Sequence, residues 1–140
     1  MLKTGCGSGE GLPVRSWVIL AIAMAMLGCA TLDSVQPGAG GSTFEVRGRS
    51  YDAIWKAAVR VAGQSLTIVE SDKATGTLRA EKGMGLATWG EVVGIFIRPP
   101  RSGAAVYTVE VLSLKRSQLQ VTGQDWTTTI ISGMKAELDQ

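Results

Sequence analysis

A serine or threonine nucleophile needs a base, and this chain has no histidine to supply one. Ser50, Ser65 and Ser113 therefore have no imidazole partner, and a Ser-His-Asp hydrolase is excluded. Two cysteines, Cys6 and Cys29, are too few to build a Cys/His zinc site, so no metal centre is expected. Glu70, Asp72 and Glu81 fall around a predicted hairpin, where paired carboxylates can divide acid and base roles if their environments differ. Lys73, Arg79 and Lys82 interleave with them, a pattern that reads as solvated charge on an exposed turn. Glu91 lies between Trp89 and Val93 on one strand face; if buried, it needs a cation such as Arg98 or Lys115. The stretch KGMGLATWG at 82–90 spaces its glycines but lacks the Gly-Lys-Ser/Thr of a phosphate loop, and reads as a connection. No catalytic residue and no cofactor is expected from these residues, and the protein is read as non-enzymatic.

Contact chemistry is better represented than reaction chemistry. Met84, Leu86 and Trp89 place three large apolar side chains in one Gly-rich loop. Trp89 is expected to tuck into the core, leaving Met84 and Leu86 as an adaptable apolar contact. Arg98 and Arg101 flank Pro99 and Pro100 on a predicted surface loop, where they solubilise the loop or meet phosphate groups. These five residues are the candidate partner-binding set. With 14 Lys and Arg against 12 Asp and Glu, the net charge is only +2, so no nucleic-acid partner is expected.

The strongest positional signal lies near the N-terminus. Residues 17–27, WVILAIAMAML, are eleven apolar residues preceded by Arg15 and followed by Gly28, Cys29 and Ala30. A basic flank, a short apolar run and small residues form a secretory signal. The run is too short to span a bilayer, which takes about 20 apolar residues. The long Gly-rich stretch before Arg15 predicts a true start downstream, at Leu12 or Val14. MLGC at 26–29 resembles the bacterial lipobox, with Met26 in place of the more usual Leu. The resemblance implies cleavage before Cys29, acylation of Cys29 with palmitate among its chains, and attachment to a membrane. Ala30, rather than Asp, resembles the Gram-negative sorting pattern that implies the outer membrane and a periplasm-facing domain.

The division expected is therefore a signal peptide at 1–28, a lipidated Cys29 with a flexible linker at 29–43, and one domain at 44–140. The linker contains Pro37, Gly38, Gly40 and Gly41 and would reach roughly 20 Å on root-mean-square average. In the domain, alternation predicts a strand at 44–49. A helix at 51–63 is predicted by Ser50 as cap, Asp52 in the first turn and apolar Ile54, Ala58, Val61 and Ala62 at helical spacing. A hairpin follows at 66–71 and 77–82, then long strands at 89–97 and 104–114, and a short strand at 119–122. Asp125 caps a last helix with Trp126, Ile130, Met134 and Leu138 on one side. The order β-α-β-β-β-β-β-α predicts an α+β, two-layer fold: an antiparallel sheet with both helices on one face.

The phrase YDAIWKAAVRVAGQSLTIVESDKATGTLRAE, with WGEVVGIFI and QDWTTTI after it, covers most of residues 51–130. It resembles the repeated domains of the C-type lipoprotein of the outer-membrane barrel-assembly machinery and of related small envelope lipoproteins. The resemblance implies a helix-grip-like α+β domain without a catalytic signature. The function expected is a lipid-anchored outer-membrane lipoprotein. It would act as a non-catalytic adaptor for an envelope protein and reach the membrane through the acyl chains on Cys29. The alternative is a carrier holding a lipid or cell-wall fragment between helices and sheet, which requires a lined cavity there.

Overall fold

The structure, a computed structural model, describes residues 30–85, 89–100, 106–117 and 123–139. Its strands are β1 (Ser42–Arg47), β2 (Thr67–Asp72), β3 (Thr77–Lys82), β4 (Glu91–Arg98) and β5 (Val106–Lys115). Its helices are α1 (Tyr51–Gly63) and α2 (Trp126–Leu138). The strands form one antiparallel sheet in the order β1-β5-β4-β3-β2. The fold is α+β with both helices on one face, as the periodicity predicts. The short strand expected at 119–122 lies outside the described residues.

Each helix is started by a side chain that satisfies an orphan backbone N–H. Ser50 Oγ accepts from Ala53 N at 3.3 Å, and Asp125 Oδ1 accepts from Thr128 N at 3.0 Å. The Thr128 hydroxyl and amide together hold the Asp125 carboxyl below the usual carboxylate range. Ile54, Ala58, Val61 and Ala62 of α1 meet Ile130 and Met134 of α2 in one core with Leu78, Val93, Ile95, Val109 and Val111 of the sheet. Arg60 of α1 pairs with Glu137 of α2 on the outer surface. The hairpin turn is stitched back to the start of α1 by Lys73 and Asp52, 2.9 Å apart.

Strand β4 is buried on both faces. Val93, Ile95 and Ile97 enter the helix-side core, whereas Val92 and Phe96 point to the opposite face and join Leu112 and Val35 in a second, smaller core. Val35 belongs to the stretch expected as a flexible linker, yet it is fully buried. From Ala30 on, that stretch is a strap laid over the back of the sheet, opened by a 3₁₀ turn at Leu32–Ser34. A chain rich in Gly and Pro carries no apolar periodicity, so its anchoring side chains, Val35 with Ala30 and Leu32 beside it, are invisible to pattern reading.

Gly94 makes the strap possible. A Cβ at Gly94 would stand 2.2 Å from Val35 Cγ1 and 2.8 Å from the Phe96 ring. Gly94→Ala is expected to lift Val35 out of its seat and to lower stability by about 1–3 kcal/mol, the usual cost of overfilling a packed site. The peptide bonds around Val35 should become cleavable in limited proteolysis. A variant as stable and as protease-resistant as the parent would show that the strap does not seat over Gly94.

Candidate functional site

The polar side chains nearest the strap hold it along its length. Arg79 of β3 donates from Nε to the Val35 carbonyl at 3.0 Å and also pairs with Glu70 of β2 at 2.5 Å. Glu110 of β5 is 2% exposed and accepts from Gly38 N at 2.8 Å and from Gly41 N at 3.3 Å. Arg98, at the end of β4, pairs with the same carboxylate. Arg98 is thus the last residue of a strand, with its guanidinium committed to a buried glutamate, rather than part of an open loop set with Arg101. Arg101 lies outside the described residues. Glu110 escaped the sequence reading. Its signal was available: a lone carboxylate within the apolar run VYTVEVLSL demands a partner if both faces of the strand are covered.

At the opposite end of β4 the chain opens a groove of about 710 Å³, among whose lining residues are Ala30, Leu32, Met84, Trp89 and Arg116. Three connections meet there: the start of the strap, the segment leaving β3, and the segment leaving β5. Gly90 adopts φ +92° and separates Trp89 from β4, which starts at Glu91. Few residues other than glycine take that conformation, and its turn sends Trp89 outward instead of into the core. Trp89 is 62% exposed and Met84 77% exposed, so the expected burial of Trp89 is corrected. Arg116 closes the polar side of the groove. Its amide donates to the Gly90 carbonyl at 3.2 Å and its guanidinium pairs with Glu81. Of the predicted contact residues, the structure brings Met84 and Trp89 together beside Ala30 and places Arg98 at the far end of the sheet. Leu86 and Cys29 lie outside the described residues.

The hairpin carboxylates do not form an acid–base pair. Glu70 is bound to Arg79 and Glu81 to Arg116. Asp72 closes the β2–β3 turn, accepting from the Thr75 hydroxyl and the Ala74 amide, both at 2.9 Å. Those bonds, the Thr75 hydroxyl first, hold its carboxyl below the usual range. Glu91 is 3% exposed on the helix-facing side of β4, directly across the ladder from Lys115. It shares a small groove with Asp125 and Trp126 at the start of α2, where a carboxylate is favoured by the positive end of the helix. Among the described residues, no group of three or more His, Cys, Asp or Glu is placed to hold a metal ion.

No family model matches the chain, and no curated protein matches it in sequence. Among solved structures, it is similar to the adenylate sensor from AMP-activated protein kinase in complex with 5-aminoimidazole-4-carboxamide 1-beta-D-ribofuranotide. That likeness has 9% identity and a TM-score of 0.43, over 69% of this chain and 94% of the other. It is similar also to Ara h 8.0201, with 13% identity and a TM-score of 0.37, over 72% of this chain and all of the other. Likenesses this distant carry no functional argument.

Proposed function

We propose that the chain is an outer-membrane lipoprotein of the cell envelope, held by acyl chains on Cys29, whose periplasm-facing domain is a non-catalytic adaptor for an envelope protein. The observation that supports this reading most is the strap. It begins one residue after Cys29 and is tied to the sheet through Val35, Arg79 and Glu110. An anchor attached to a docked strap holds the domain in one stance on a membrane, which suits an adaptor better than a freely tethered carrier. The carrier reading called for a cavity between helices and sheet. The centre of that space is filled by Ile54, Leu78, Ile95, Ile130 and Met134, each at most 1% exposed, which leaves a carrier a small polar groove at the start of α2.

The reading is tested by Cys29→Ser. The parent is expected in the membrane fraction with a mass that includes acyl groups and lacks residues 1–28. The variant should fail to be acylated and should leave the outer-membrane fraction. A variant still cut after Gly28 and still membrane-bound would show that acylation is not the anchor. Crosslinking of the parent in whole envelopes then identifies the neighbour, and a parent that crosslinks to no envelope protein would remove the adaptor role.

A further inference from the structure

The sheet of this domain has one end next to the proposed anchor, and that end carries two of the three large hydrophobic side chains exposed among the described residues. Large hydrophobic side chains exposed among the described residues are Met84, Trp89 and Val69. Met84 and Trp89 line the groove that Ala30 and Leu32 also line. Ala30 is bonded to Cys29, so the proposed lipidated residue is the sequence neighbour of a residue of the groove wall. Ala30 and Leu32 pack against the second core, and the Val35 carbonyl beyond them is held by Arg79, so the start of the strap stays beside the groove.

We propose that the Met84–Trp89 groove rests on the lipid bilayer itself, as a second, protein-made contact beside the acyl chains. The inference depends on the reading that Cys29 is acylated, and it commits the groove to lipid rather than to the envelope partner. Its chemistry fits an interface. Tryptophan is favoured at the headgroup level because its ring is apolar and its indole N–H is polar. Methionine adapts to an irregular apolar neighbour such as acyl chain ends. The rim of the groove is polar: Arg116 shares its charge with Glu81, and Asp33 and Thr31 of the strap stand among the lining residues. The consequence is orientation. With the groove end of β3, β4 and β5 against the membrane, the Arg98–Glu110 end of the sheet points away from it, towards the periplasm and any partner.

The test uses the full chain, processed in a bacterial host, extracted in detergent and reconstituted into phosphatidylethanolamine–phosphatidylglycerol vesicles. Part of the lipid carries bromine on its acyl chains near the headgroup, and Trp89→Phe isolates the emission of Trp89. Brominated lipid is expected to quench the emission that Trp89→Phe removes, and aqueous iodide is expected to leave it. Quenching by iodide and not by bromine would mean that the groove faces water, and would overturn the proposal. Quenching by neither would mean that a second copy of the chain covers the groove, and overturns it equally. The mass of the same preparation reports acylation at Cys29, so the two failures are distinguishable. A chain without acyl groups sinks the anchor. Because the groove is proposed as a contact beside the acyl chains, such a chain overturns both readings, whereas an acylated chain without bromine quenching of Trp89 overturns the groove contact alone.

Discussion

Trp126→Ala is expected to lower the stability of the domain by about 3–5 kcal/mol, the range for removing a large aromatic side chain from a core. Trp126 is the first residue of α2, is 5% exposed and belongs to the helix-side core. The Lys82 ammonium, at the end of β3, stands 5.8 Å from its ring centre and donates to the Ser65 carbonyl in the loop after α1. The substitution leaves the Asp125 cap in place, because that cap bonds to Thr128 rather than to residue 126. The loss is therefore one of buried area and of the cavity left behind, not of helix initiation. Helix α2 contains three consecutive threonines and Gly133, residues of poor helix propensity. Its attachment to the sheet must come from Trp126, Ile130, Met134 and Leu138. Urea unfolding followed by circular dichroism measures the change as a shifted midpoint at unchanged slope. A loss below about 0.5 kcal/mol, the level of an ordinary exposed substitution, would remove Trp126 from the core.

The second large effect is expected at Glu110. Replacing it by Ala removes the acceptor for Gly38 N and Gly41 N and leaves the Arg98 guanidinium without its carboxylate. Truncating one partner of a buried charge pair costs about 3–5 kcal/mol; Arg98 keeps 41% of its side chain exposed, so the lower end of that range applies. Glu110→Gln keeps the shape and an acceptor, and is expected to lose less. The readout that separates a strap lock from a general core defect is hydrogen exchange. The amides of Gly38 and Gly41 should lose protection in Glu110→Ala, while the amides of α1 keep theirs when compared at equal global stability. Uniform loss of protection across the domain would refute a local lock.

Local pattern carried the architecture because local pattern is what secondary structure responds to. Ile54, Ala58, Val61 and Ala62 sit on one side of a helix in any context that offers an apolar surface, and Ser50 and Asp125 act on amides three residues away. Val92 to Ile97 is apolar on both faces, yet the pattern places helices on only one of them and leaves the other half exposed or covered by a partner. The limits of that reading appear at Trp89. Alternation alone extends β4 back through Gly90, and only the φ of +92° there ends the strand and turns the indole outward.

The strap and the groove belong to the tertiary structure. The bonds from Glu110 to Gly38 and Gly41 span 72 and 69 residues, and that from Arg79 to Val35 spans 44. Nothing in the sequence near residue 38 distinguishes a tether from a strap, because Gly and Pro serve equally for chain freedom and for close approach to a sheet. The seat for Val35 is a missing side chain at Gly94, and Gly94 taken alone is only a weak point in a strand. By itself the sequence determined the order of strands and helices and the absence of a histidine-based active site. The tertiary structure decided which chain covers the back of the sheet and which apolar side chains stay in the open. Those outcomes depend on contacts between segments far apart in sequence, whose free energy exists only once the sheet has closed.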